Sequence, residues 1–124
     1  MEKLSLVESV ALLNQLIEAG QTLLAMERFY AENVTMQENE EPPRYGKQLC
    51  IEHEQQNLSY VKALKCTLLN QAINPETGVV FSEWEYWFTN HKDKTSGLRE
   101  VSVQQWQNGQ IVREKFYYQQ LLSA

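Results

Sequence analysis

The sequence predicts an α+β fold in which three N-terminal helices cover one face of a strongly curved antiparallel sheet. Two observations predict it. Up to about residue 60, apolar residues recur mainly at helical spacing. From Ala63 onward come four runs rich in β-branched and aromatic residues, LKCTLLNQAI, VVFSEWEYWFT, LREVSVQQW and QIVREKFYY. The breaks between them, NPETG, NHKDKTSG and QNG, are turn sequences. Helices first and strands afterwards is the α+β order.

The first helix is read from Leu6, Val10, Leu13 and Ile17, with Val7 and Leu16 widening the stripe. Gly20 stops it, because glycine accepts the left-handed conformation that ends helices. Thr22 is expected to cap a second helix, whose apolar side is Leu23, Met26, Phe29 and Tyr30. So short a connection predicts a helical hairpin. Val34 to Glu38 reads as a short strand, and Pro42 and Pro43 forbid its continuation. Gly46 opens a third helix, expected to run to about Tyr60. In the last break, Asn108-Gly109 is a tight-hairpin signal, since both residues must accept positive φ.

Composition narrows the function classes. The chain has 124 residues and a net charge of −5. That length predicts a single domain, residues 1–124, that removes roughly two-thirds of its unfolded surface from water. The acidic balance makes nucleic acid a poor partner. No apolar run approaches the ~20 residues of a membrane span, and the first residues read as an amphipathic helix rather than a signal peptide. Cys50 and Cys66 are too few for a disulfide framework and read as reduced thiols of a cytoplasmic protein. Two distant histidines and two separated cysteines offer no metal-ligand spacing, and no phosphate loop, dinucleotide fingerprint or GxSxG is present. No cofactor is therefore expected.

The order of elements, together with AGQTLLAMERFYAENVTMQE, the PPRYGK turn and VSVQQWQNGQIVREKFYY, resembles the SnoaL-like branch of the nuclear transport factor two-like superfamily. These pieces span most of the chain, but each is a pattern of residue types rather than a catalytic signature. The resemblance implies a cone-shaped, cystatin-like α+β fold with a pocket between sheet and helices. It also implies a homodimer through the outer sheet face. Polyketide cyclases and ketosteroid isomerases belong to this superfamily. In the isomerases the segment resembling YAENVTMQE ends in a catalytic aspartate, and the matching position here is Glu38. Their two oxyanion donors are not matched, since those positions fall on Asn14 and on Val103 or Gln104. The cyclases' acid falls near Glu114 or Phe116.

Side chains alternate across a strand, so each strand has an inward set. Trp84, Tyr86 and Phe88 are uniformly aromatic and are assigned inward. Phe81, Glu83, Glu85 and Trp87 are then outward, and a tryptophan among charges there fits a dimer interface. On the last strand the less charged set, Val112, Glu114, Phe116 and Tyr118, is assigned inward. Val34 and Met36 need the core, and Glu38 is carried in with them. The expected pocket therefore has Tyr30, Met36, Leu58, Trp84, Tyr86, Phe88, Val103, Phe116 and Tyr118 as its wall. Glu38, Glu114 and His53 are its candidate acid–base groups. Each has a plain alternative: Glu38 paired with Arg44 or Lys47 at a strand end, Glu114 held by a backbone donor, the aromatics as ordinary core.

Two functions fit. One is a cofactor-independent isomerase, cyclase or hydratase acting on an apolar or aromatic small molecule, with Glu38 as general base. The other is a non-catalytic module that binds a hydrophobic ligand or acts through dimerisation.

Overall fold

The computed structural model describes residues 3–119 and 122–123. Helix α1, Leu6–Glu18, starts at a reciprocal capping box. The Ser5 hydroxyl accepts from the Glu8 amide at 3.1 Å, and the Glu8 carboxylate accepts from the Ser5 amide at 2.9 Å. Gly20 ends the helix with φ +78°, and the Gln21 amide donates back to the Leu16 carbonyl at 2.8 Å. The buried stripe is Val10 and Leu13. Val7 is 51% exposed and does not belong to it.

Helix α2 spans Thr22–Phe29 and buries Ala25, Met26 and Phe29. Thr22 is its first helical residue and caps nothing; Gln21 occupies the cap position without a side-chain bond. Strand β1, Tyr30–Glu38, begins four residues before the expected start. Tyr30 fits the helical stripe of Met26 and Phe29, but the chain passes from helix to strand with no loop, and Tyr30 pairs with Ile111 instead. Pro42 and Pro43 do break the chain. It then returns as a two-residue strand β2, Arg44–Tyr45, against Met36 and Thr35. Gly46, at φ +96°, leads into helix α3, Lys47–Ser59.

The second half is a meander of β3 (Val61–Asn74), β4 (Val79–Asn90), β5 (Thr95–Gln107) and β6 (Gln110–Tyr117), each antiparallel to its predecessor. Asn108 and Gly109 both take positive φ in the last turn, as that dipeptide predicts. A short β7, Leu122–Ser123, pairs with the start of β5. The remaining strand order is β2-β1-β6-β5-β4-β3, with β1 parallel to β6.

Helices α1 and α2 pack on one another, α1 also meets β3, and α3 meets β1. The core between them joins Val10, Leu13, Met26, Phe29, Val34, Val80, Trp106 and Ile111. At about 25 cal/mol per Å² of apolar surface, this burial is the main force holding helices to sheet.

The inward set of β6 differs from expectation at one end. The β5–β6 ladder pairs Gln105 with Arg113 and Trp106 with Ile111, so Val112 has no partner. This irregularity switches the face. Ile111, not Val112, is fully buried, while Glu114 and Phe116 keep their inward positions. On the outer face Trp87 lies over Gly97, its ladder partner; a Cβ there would stand 2.6 Å from the indole. The indole N–H donates to Glu85 at 3.0 Å.

Candidate functional site

Between the concave sheet face and the helices lies a cavity of about 460 Å³. Strand alternation builds most of its wall. Strand β4 contributes Trp84, Tyr86 and Phe88, and Trp84 and Tyr86 stack with ring centroids 6.1 Å apart. Strand β1 contributes Tyr30, Met36 and Glu38, and β6 contributes Glu114 and Phe116. Helix α3 supplies His53, Glu54 and Leu58, and β2 supplies Arg44. Strand β5 supplies Glu100, Ser102 and Gln104.

Two of the expected pocket residues stand elsewhere. Val103 is on the outer face, laddered between Phe81 and Lys115, because the inward positions of β5 are the even ones. Tyr118 lies just past the end of β6 and outside the cavity wall, but its hydroxyl donates to Glu38 Oε1 at 3.0 Å. Asn39 sets this up. Its amide donates to the Phe116 carbonyl at 2.8 Å, and its side chain accepts from the Tyr118 amide at 3.1 Å. The turn after β1 is thus tied to the end of β6.

Glu38 is engaged on both oxygens. Arg44 donates to Oε2 at 3.1 Å while Tyr118 holds Oε1. Its side chain keeps 25% of its exposure, so the group sits at the cavity's edge. The neighbouring carboxylates of the same turn are ordinary: Glu40 pairs with Lys115 at 2.9 Å and Glu41 is exposed.

Glu114 is fixed deep inside. Tyr30 donates to Oε1, and the Gln104 amide donates to Oε2 at 2.7 Å. The Trp106 indole donates to Gln104 Oε1 at 2.8 Å, which orients that amide. Burial raises the Glu114 carboxyl above the usual range, although the Tyr30 and Gln104 bonds pull it back. The same burial, reinforced by Glu114, pushes the Tyr30 hydroxyl well up.

Glu100 stands out. It is 8% exposed and pushed up to about 8, first by burial and then by the charge of Glu114, with the Tyr86 hydroxyl acting in the opposite sense. Burial also raises Glu54; Glu38 adds to the rise and Arg44 opposes it. Neither residue was singled out from the sequence as an acid–base group. The signal for Glu100 was present: Glu100, Ser102, Gln104 and Trp106 alternate on one strand, and Trp106 requires the core.

His53 lines the cavity half-buried, with Nδ1 3.4 Å from the Asn57 amide nitrogen. Both cysteines are free thiols; burial raises Cys50, and raises Cys66 to about 12, so neither is a ready nucleophile. Among the described residues, no three His, Cys, Asp or Glu side chains gather as metal ligands would. No helix among them is long and apolar enough to cross a membrane.

Glu38 thus stands at the cavity's edge, held by Arg44 and Tyr118, and Glu100 stands inside with its carboxyl pushed up to about 8 by burial. Carboxyl groups in contrasting surroundings are how one site supplies both acid and base near neutral pH.

The chain matches no protein-family model and no curated protein. Its architecture is shared with solved structures. A candidate SnoaL-like polyketide cyclase from Mesorhizobium loti superposes with a TM-score of 0.78 at 19% identity, over 93% of this chain and 100% of that one. An NTF2-like protein of unknown function from Burkholderia pseudomallei gives 0.79 at 10% identity, over 94% and 92%. TerC, co-crystallised with polyporic acid, gives 0.76 at 10% identity, over 92% and 91%. At such identities the likeness establishes the fold, that of SnoaL-like and NTF2-like proteins.

Proposed function

We propose that the chain, as one SnoaL-like domain, is a cofactor-independent acid–base enzyme of isomerase, cyclase or hydratase type. Its substrate is an apolar or aromatic small molecule taken into the cone. Glu38 is the general base. Glu100, carrying a proton, donates a hydrogen bond to a substrate oxygen that gains charge, with Glu114, Tyr30 and His53 shaping the remaining polar wall. One observation carries this reading: two carboxyl groups in opposed environments line a single aromatic-walled cavity. TerC, a protein of the same fold, was crystallised with a small molecule, which supports a ligand here.

Hydrogen–deuterium exchange tests the base even while the full reaction is unidentified. A panel of neutral aryl ketones with acidic C–H bonds is incubated with the protein in heavy water and followed by mass spectrometry. The protein should accelerate exchange at the α-carbon of at least one member. Glu38→Gln should lower that rate by roughly 10²–10⁴-fold while retaining the fold. Undiminished exchange in that variant would remove Glu38 from the role.

The hold of Arg44 and Tyr118 on Glu38 favours a second reading, a non-catalytic binder in which that carboxylate is a structural tie. The binder gives no exchange with any ketone, and Glu38→Gln keeps its ligand affinity.

We also infer a cytoplasmic homodimer. The two free buried cysteines support the compartment. Exposed Phe81, Val101 and Tyr117, with half-buried Trp87 further along β4 on the same outer face, support the dimer. Sedimentation that returns only monomer at micromolar concentration refutes it.

A further inference from the structure

The balance of charge in the cavity is one-sided. Glu38 and Arg44 cancel one another across their ion pair. Among the described residues lining the cavity, Arg44 is the one guanidinium or ammonium group; it acts on Glu38 and Glu54, which leaves Glu100 and Glu114 without a cation. Glu114 has its oxygens occupied by Tyr30 and Gln104. Glu100 meets the Tyr86 hydroxyl but is not clamped on both oxygens, and Trp84 is its ladder partner on the same inward face. Their side chains therefore stand next to one another.

A second observation is independent of the carboxylates. Ser102 is 1% exposed, lines the cavity two positions along β5 from Glu100, and has a hydroxyl with no hydrogen-bond partner. A buried hydroxyl without a partner calls for a group to satisfy it. A carboxyl, a lone hydroxyl oxygen and a neighbouring indole on one inward stretch of the sheet suit a positively charged nitrogen. The carboxylate and hydroxyl accept its N–H bonds, and the ring attracts the charge through its quadrupole. An anionic ligand would meet four carboxyl groups there instead.

We propose that the ligand of this cavity is an organic amine, bound as its ammonium ion, with an apolar or aromatic body along Trp84, Tyr86 and Phe88 and its nitrogen between Glu100 and Ser102. This rests on the cavity being the ligand site, as above, and names the class of molecule it takes; toward an amine Glu100 is the ionised acceptor of N–H bonds instead of the protonated donor to a substrate oxygen. The proton balance is simple. An amine entering as the free base takes the Glu100 proton and leaves an ammonium–carboxylate pair. An amine already protonated in solution expels that proton to the solvent.

The surrounding charged and titratable groups are Tyr30 and Glu38 on β1, Arg44 on β2, and His53 and Glu54 on α3. Tyr60 at the end of α3, Cys66 on β3, Tyr86 on β4 and Glu114 on β6 complete the set. Of these, Glu114, Glu38 and Glu54 raise Glu100 further, so a cation entering among them relieves several repulsions together.

Calorimetric titration with 3-phenylpropylamine and its neutral counterpart 3-phenylpropanol tests the proposal. The amine should bind more tightly, with its affinity rising roughly tenfold or more between about pH 6 and about pH 9, as the competing proton leaves Glu100. The alcohol should show no such rise. Near neutral pH, amine binding measured in two buffers of different ionisation enthalpy should report proton release, a readout that requires no variant. Glu100→Gln should abolish both the rise and the release, with circular dichroism verifying its fold. Equal binding of the two compounds, binding of neither, or a pH rise that persists in the folded Glu100→Gln protein overturns the proposal. None of these results touches the exchange test, which uses neutral ketones and the Glu38→Gln variant.

Discussion

Glu100 binds a proton more tightly in the folded chain than in the unfolded one, and stability must register the difference. From the ordinary value of 4.5 its carboxyl rises to about 8 on folding. Between those limits the native state holds a proton that the unfolded chain has released. Its contribution is therefore complete below about 4.5 and is lost as pH rises through about 8. Glu54 and Glu114 are raised the same way. Thermal unfolding should accordingly occur at a higher temperature near pH 5 than near pH 9 (roughly chosen to bracket the window). Glu100→Gln should flatten that slope and stabilise the protein above about pH 8, by ~1.4 kcal/mol for every tenfold by which folding tightens the proton's hold. A midpoint that climbs with pH across this window would contradict the assignment. At the same scale, Glu38 was legible in the sequence because Val34 and Met36 impose their face on it. Glu100 was equally open to alternation but was masked by its flanks, Arg99 and Val101, which read as an ordinary mixed strand.

Elements were legible where their signals are local. The stripe of α1, its glycine stop and the Asn108-Gly109 turn all depend on residues within a few positions of one another. The box closing the start of α1 is equally local. Ser5→Ala removes the acceptor for the Glu8 amide and should cost about 1 kcal/mol, read as a shift in denaturant midpoint at unchanged slope. A variant as stable as the parent would show that water replaces the cap. Two element boundaries were not legible. Tyr30 continues the helical stripe of α2, and only its pairing with Ile111 draws it into a strand. The skipped Val112 has a β-branched neighbour on its N-terminal side, so exchanging Ile111 for Val112 in the core leaves no trace in the pattern.

At the scale of the whole molecule, exposed apolar side chains such as Val7, Leu24 and Leu49 stand on the helices, while the outer sheet face carries exposed Phe81, Val101 and Tyr117. Phe81 is 51% exposed there, while the cavity lies on the opposite face of the sheet. If the dimer forms through this face, Phe81→Glu should produce a monomer by sedimentation and leave ligand binding in the cone intact. A dimer that survives the substitution moves the interface elsewhere. Helices before strands, and strands in hairpin order, could be read along the chain. The neighbours of β1 could not, because β6 joins it from far along the sequence.

That distant pairing governs when the fold can come into being. The Tyr30–Glu114 bond joins residues 84 positions apart, and β1 finds its parallel partner only in the last long strand. Emerging from the ribosome, β1 must wait for this partner until β6 has been made. The β1–β6 pairing is therefore the point of closure, and assembly is slow in the way that long loop closures are slow. During that interval the nascent chain presents an unpaired apolar strand to whatever it meets, including other copies of itself. A folding helper in the cell would find its client at this stage, before the cone has closed.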